Sequence, residues 1–535
     1  MRRIFIFGFL FFLSFILKAQ EDAWVFFVDK ENVSSAIANP ITILTQKAID
    51  RKNRHGVAID VRDVPVNESY VSQIKNVSGV SVLAKSKWFN AVHVRGNQSD
   101  IEALKNLSFV SLVDFADNSL NQTKSLKQKQ KDKLEGVLTT FNYGDAANQI
   151  EMFNGDELHQ LNYTGLGMTI AVLDSGFPNV NTISAFQRVR NAGNILGTYD
   201  FVNRDTNVYT STTSNHGTLV LSDMAAYVQD EFVGTAPDAS YYLFITEDAT
   251  SETPVEESYW VEAAERADSL GVDIINTSLG YSDFDGTKYD YSQSDMDGTT
   301  TFISRGANIA FEKGLLLVTS AGNSGNWGVT APADSPNVFT VGAVDASGDY
   351  VNFSSVGTMY QTTQKPDVVG QGGLSYVITE NNVIARANGT SFSAPILAGG
   401  IACLWQAVPN KTNAEIMQLV RESASQYSSP DNFLGHGIPN LQTALDVALS
   451  VASNATDEFE VVLFPNPVRE TLYIKLASEE AVASVHLFNT LGENINSYML
   501  TSDAVSIDVS AFAKGLYILK VETNSTSKIF KIIKQ

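Results

Sequence analysis

The sequence has one cysteine, Cys403, in 535 residues. No disulfide can form within the chain, so packing, and any bound ions, must hold it together. No apolar run reaches the roughly 18 residues that a membrane-spanning helix needs; the run over residues 4–17 is shorter and sits at the N-terminus. Basic charge is also scarce, with 37 Lys and Arg against 59 Asp and Glu and a net charge of −22. The deficit is local: residues 136–457 carry 11 basic against 36 acidic side chains, residues 20–135 carry 16 against 14, and residues 458–535 carry 7 against 9. A nucleic-acid groove needs clustered Lys and Arg, which excludes one from the middle of the chain. An acidic surface of this kind suits solubility outside the cell.

What is present divides the chain into segments. Met1-Arg2-Arg3, the apolar run and Lys18-Ala19-Gln20 have the layout of a secretory signal peptide over residues 1–19. Residues 20–120 alternate strand-like stretches (24–28, 80–84, 89–94, 109–115) with helix-like ones (70–75, 100–107), which fits a small α+β ferredoxin-like unit. Ser99 and Glu102 are spaced to form a capping box for the second helix. Residues 121–139 include Lys124, Lys127, Lys129, Lys131 and Lys133 and read as a solvated linker open to a processing protease. Residues 140–455 carry short apolar runs (168–173, 240–245, 272–277, 315–319, 338–341) separated by helix-like stretches such as 254–269. That alternation predicts an α/β domain with a parallel sheet covered on both faces. Residues 458–535 have short strands and turn signals, which predict a small β-sandwich.

Chemistry concentrates in the α/β segment. Three motifs occur in order: Val172-Leu173-Asp174-Ser175-Gly176, Asn215-His216-Gly217-Thr218, and Asn388-Gly389-Thr390-Ser391-Phe392-Ser393-Ala394-Pro395. A serine hydroxyl needs a neighbouring base to become a nucleophile. Of His159, His216 and His436 in this segment, only His216 opens a helix-like apolar stretch that would hold a ring rigidly. Asp174 follows a strand and would orient that ring; Ser391 would sit at a helix N-terminus, where developing negative charge is favoured. Pro395 would fall in the tolerant first turn of that helix, and Cys403 further along it reads as a buried core residue.

Asp, His, Ser in that order, with Thr319-Ser320-Ala321-Gly322-Asn323-Ser324-Gly325 between them, resembles the subtilases, the subtilisin-like serine proteases. The resemblance implies an Asp174–His216–Ser391 triad, Asn323 as oxyanion donor, and an extended polypeptide held between Ser278-Leu279-Gly280 and Ser320-Ala321-Gly322. It implies that residues 20–120 are a propeptide that assists folding and inhibits the enzyme. Pro465-Asn466-Pro467, Lys514-Gly515-Leu516-Tyr517 and the basic C-terminal end resemble the sorting domain of the type IX secretion system of Bacteroidota. The expected protein is thus secreted or held at the cell surface after passage through the periplasm, with the type IX machinery as a partner and no catalytic cofactor. A structural Ca²⁺ is compatible with the acidic loop 281–297 (Asp283, Asp285, Asp290, Asp295, Asp297), but its spacing fits no EF-hand and favours a solvated loop, so no ligands are assigned. An α/β-hydrolase esterase would need a G-x-S-x-G elbow around Ser391, which is absent. A catalytically inactive surface-binding protein or adhesin would be expected to lack one of Asp174, His216, Asn323 or Ser391, and all are present.

Overall fold

The apolar runs of the acidic segment become a seven-stranded parallel sheet, in the order Val368–Gln371, Phe339–Val344, Leu316–Ser320, Ile274–Thr277, Thr169–Asp174, Ser240–Ile245, Ile195–Asp200. The computed structural model describes residues 20–121, 141–210, 214–450 and, near the C-terminus, 461–476, 483–489, 494–500, 504–522 and 527–534. The expected signal peptide and the Lys-rich stretch 122–139 lie outside the described residues. All six residues of Thr169–Asp174 are buried, as a strand covered on both faces requires. Ala171, Leu173, Ile275 and Leu317 pack on helices Val255–Leu270 and Phe302–Glu312. Helices His216–Ala225 and Thr390–Ala407 pack on each other and on the other face of the sheet. From Thr169–Asp174 the chain crosses to the edge strand Ile195–Asp200, fills the gap with Ser240–Ile245, and then builds outward on the other side from Ile274–Thr277. The strand order therefore reverses between Thr169–Asp174 and Ile274–Thr277, and a crevice opens beyond their carboxyl ends, where ligands bind in such sheets.

Strands Ile195–Asp200 and Val368–Gln371 close the two edges and were not among the expected runs. The first is only half-buried and is interrupted by Gly197, so its apolar signal is weak.

Residues 20–121 form a four-stranded antiparallel sheet ordered Val80–Ser86, Ala91–Asn97, Gln20–Phe27, Val110–Phe115. Val25, Phe27, Val92, Val94 and Phe115 share a core with Val71 and Ile74 of helix Glu68–Lys75 and Ile101 of helix Gln98–Ala103. Trp24, Ala84 and Trp88 instead join the core built around Trp260. The expected capping box does not form: the second helix starts at Gln98, so Ser99 lies inside it, and Asn97 donates to Asp100 at 2.9 Å. Residues 28–67 hold further short helices, among them Gln46–Arg54.

The C-terminal unit, described by itself, has two antiparallel sheets of three and four strands. Leu472, Ile474, Val485, Leu487, Ile507, Leu519 and Ile532 make one core between them.

Candidate active site

Asp174 ends its strand at the point of reversal with no solvent exposure. Its carboxylate accepts from Ser175 N at 2.7 Å and from His216 Nδ1 at 2.9 and 3.1 Å. That pairing places the proton on Nδ1 and leaves Nε2 as the acceptor. The approach depends on Gly217: a Cβ there would lie 2.5 Å from the Gly176 carbonyl and 3.0 Å from Asp174 Cβ. Burial lowers the pKa of His216, but the charge and hydrogen bond of Asp174 outweigh it, and the net shift is upward. His159 is buried between Tyr143 and the Thr235 carbonyl and is pushed down to about 4 by desolvation, and the His436 ring lies 5.2 Å from that of Tyr427, tilted by 39°. His216 alone of the three opens onto the crevice.

Ser391 is 8% exposed, one residue into its helix, after Gly389 at φ 151°. Its hydroxyl donates to the Ser278 carbonyl at 3.4 Å, and Ser278 Oγ donates back to the Ser391 carbonyl at 2.8 Å. Pro395 is the sixth residue of this helix, beyond the first turn where the sequence suggested it would fall. It has no N–H to give the carbonyl four residues earlier, which is that of Ser391, so Ser278 supplies the missing donor. Ser393 is fully buried and donates to Thr390 O, which leaves Ser391 as the more accessible serine of the two. Phe392, next to Ser391, lies 5.9 Å from the His216 ring, centroid to centroid.

Asn323 is exposed just beyond strand Leu316–Ser320. Its Oδ1 accepts from Thr390 N at 2.9 Å and Oγ1 at 3.1 Å, and among the described residues its Nδ2 donates to no protein group. Of the expected substrate contacts, Leu279 is half-buried and Gly280 exposed, and among the described residues neither uses its main-chain N–H or C=O in a hydrogen bond. Ser320 is paired within the sheet. The Ala321 amide and carbonyl and the Gly322 carbonyl are bonded to other main-chain groups. Gly322 has φ 102°, and a Cβ at Gly280 would lie 2.1 Å from Thr330 Oγ1, so packing already requires glycine there.

Beside His216 lies a cleft of about 500 Å³ bordered by Ser278, Leu279, Glu247, Asp248, Glu252 and Asp285. Carboxylate oxygens of Glu247, Glu252 and Glu256 lie within 4.8 Å of one another, a grouping able to chelate a cation. Burial raises Glu252 to about 7, with Asp285 and Asp283 adding to the shift, and raises Glu256 to about 8 with help from Glu252. Glu247, which accepts from Tyr281 OH, is pushed well up by burial and by Glu256. Sequence reading missed this cluster because it is drawn from a strand end, a loop and a helix. Three of the aspartates of loop 281–297 serve its turns instead: Asp290 accepts from Phe284 N, Asp295 from Ser292 N, and Asp297 from Thr299 and Thr300 N. Cys403 is fully buried and donates to Thr235 O, the core position its sequence context suggested.

Three family models match the chain in succession: the Bacteroidota propeptide domain of S8 peptidases over residues 22–133, the subtilase family over 165–437, and the secretion-system C-terminal sorting domain over 462–535. Subtilisin NAT of Bacillus subtilis subsp. natto is 30% identical over 300 residues, which cover 55% of this chain and 70% of the relative. Subtilisin of Bacillus pumilus is 29% identical, covering 55% of this chain and 97% of the relative. Serine protease AprX of Bacillus subtilis is 28% identical over 315 residues, covering 53% and 67%. Among the described residues no helix is long and apolar enough to cross a membrane. With its buried Asp–His pair at the switch point of a parallel sheet, the chain belongs to the subtilase family of serine peptidases, and it carries that family's Bacteroidota propeptide and a type IX sorting tail.

Proposed function

We propose that the chain is a secreted serine endopeptidase that cleaves extended polypeptides through an Asp174–His216–Ser391 triad and an acyl-enzyme. The observation that supports this reading is the Asp174–His216 pair, whose ring lies 5.9 Å from that of Phe392, the residue after Ser391, with Ser278 bonded to the Ser391 carbonyl. His216 Nε2 takes the Ser391 proton as Oγ attacks the scissile carbonyl, and Asp174 stabilises the resulting imidazolium. Asn323 Nδ2 and the Ser391 N–H, at the positive end of its helix, receive the oxyanion. His216 then protonates the leaving amine, and a water deacylates the serine by the reverse proton path. The free main chain of Leu279 and Gly280 supports pairing with an extended substrate, with residues 320–322 across the primary pocket.

In this reading residues 1–19 are a leader, 20–120 an inhibitory propeptide of ferredoxin-like topology, 121–139 the segment cut on activation, 140–455 the peptidase and 458–535 a β-sandwich sorting domain. The strand order of residues 20–121 and the two sheets over one C-terminal core support these assignments. Export then runs through the periplasm to the type IX machinery. Neither the triad nor the oxyanion donors call for a metal, and a cation at Glu247, Glu252 and Glu256 would serve structure. The test of the oxyanion assignment is Asn323→Ala: turnover falls about 100- to 1000-fold with KM little changed, the range known for the subtilisin oxyanion donor. Near-parental turnover in a folded variant removes Asn323 from the mechanism.

A further inference from the structure

Strands Ile274–Thr277 and Leu316–Ser320 run side by side as far as the pair Thr277–Thr319, and beyond it they part. Both continuations are anchored beside the proposed nucleophile. Ser278 Oγ donates to the Ser391 carbonyl at 2.8 Å, and Gly322 N donates to Thr390 Oγ1 at 3.2 Å. The slot between residues 278–280 and 320–322 therefore opens next to Ser391, on the path that the side chain of the residue under attack would take.

A third segment closes that slot. Tyr281 and Ala331 exchange main-chain hydrogen bonds of 2.8 and 3.2 Å, and Thr330 N donates to Ala321 O at 3.4 Å. Residues 330 and 331 are thus tied to both walls, and the Thr330 side chain stands between them. Its Oγ1 fills the place that a Cβ of Gly280 would take, and it lies 3.1 Å from where a Cβ of Gly322 would be. The two facing residues are glycines, so the threonine supplies the bulk at this level of the slot. Thr330 is buried, and among the described residues its hydroxyl has no hydrogen-bond partner. A hydroxyl in that condition costs stability. Contact with the two glycines, and not polar pairing, holds the side chain where it is.

We infer that Thr330 plugs the slot and restricts the residue whose carbonyl Ser391 attacks to a small side chain: glycine, alanine or serine. Leucine or phenylalanine would need the space that Thr330 fills. A side chain branched at Cβ is stiff about χ1, the main chain on either side of it is bonded to both walls, and forcing extra volume into a packed site strains it. Asp248, Glu252 and Asp285 border a cleft whose lining does not include Thr330, so their charge acts on residues farther from the scissile bond. The substrate class is then a polypeptide with a small residue directly before the cut.

This inference rests on the endopeptidase reading, so its test runs both with and without chemistry. The processed, propeptide-free protein is assayed on one peptide series in which only the residue before the scissile bond changes, from alanine to leucine to phenylalanine. The parent cleaves the alanine peptide with kcat/KM at least about tenfold above the phenylalanine peptide. Thr330→Gly raises the phenylalanine value at least about tenfold and leaves the alanine value within about threefold. Thr330→Val, which keeps the bulk and removes the unpaired hydroxyl, behaves as the parent. A parent that favours phenylalanine, or a folded Thr330→Gly protein with an unchanged ratio, overturns the inference; if Thr330→Gly fails to fold, the parent's own order decides. Peptides that end at the varied residue bind without being cut, and their affinities, read by fluorescence anisotropy, follow the same order. A protein that cuts nothing yet binds the alanine-ended peptide more tightly refutes the catalytic reading and keeps the plug. One that cuts but favours phenylalanine keeps the catalytic reading and refutes the plug, and one that neither cuts nor binds refutes both.

Discussion

Ser278 and Ser391, 113 residues apart, exchange hydrogen bonds: Ser278 Oγ donates to the Ser391 carbonyl at 2.8 Å, and Ser391 Oγ donates to the Ser278 carbonyl at 3.4 Å. The short bond fixes the helix N-terminus against the end of strand Ile274–Thr277, in a place where Pro395 has removed the helical donor. The long bond is one that a χ1 rotation of Ser391 releases. Ser278→Ala therefore strands a buried carbonyl and loosens the nucleophile. Stability falls by about 1–2 kcal/mol in denaturant melts, and kcat falls about tenfold with KM nearly unchanged, a modest share of what positioning contributes.

The pH dependence follows from His216. Its pKa lies above the ordinary 6.5 because Asp174 outweighs burial, and catalysis needs the neutral ring. Activity therefore rises with pH through a midpoint above 6.5 in kcat/KM profiles. The same shift contributes stability that is fully present below pH 6.5 and is lost as pH rises through the folded-state value. Asp174→Asn removes the carboxylate, moves the acid limb downward and lowers kcat on the order of 10,000-fold.

Glu252 and Glu256 have pKa values of about 7 and about 8. A carboxyl raised in the folded state stabilises most below its unfolded value near 4.5, and that contribution is lost as pH climbs through 7 to 8. Glu252→Gln, which relieves the repulsion, raises the melting temperature at pH 8 and leaves it nearly unchanged at pH 4. Calcium raises the parent's melting temperature at pH 8 more than that of Glu252→Gln, because the variant has one fewer charged ligand.

The cleft beside His216 carries Asp248, Asp285 and, above pH 7, an ionised Glu252, with no Lys or Arg in its lining. Peptides with Lys or Arg in the few positions before the scissile bond are cleaved with kcat/KM about tenfold above their Glu counterparts at low salt, and the ratio shrinks as salt is added. A peptide library assayed at two ionic strengths measures both.

The residues proposed for catalysis stand out in the sequence because each lies in a contiguous motif whose parts have local reasons. Gly217 lets His216 approach Asp174, and Gly389 turns the chain into the Ser391 helix. The central strands were legible because burial on both faces makes them continuously apolar. Much of what escaped reading is held by partners far away in the chain. The stretch over residues 45–63 is polar, and its Arg51 and Lys52 look like solvent-facing charges until Asp268, more than 200 residues later, is brought beside them. The carboxylates of Glu247, Glu252 and Glu256 meet through folding, and the donor that Pro395 withholds is replaced by a serine from another strand.

The central claim, an activated Ser391, is tested most directly by a fluorophosphonate probe on the processed, propeptide-free protein, beside Ser391→Ala, followed by intact mass. One covalent adduct on the parent and none on the variant is the expected result. A folded parent that takes up no adduct, or a variant that takes up as much as the parent, contradicts the account.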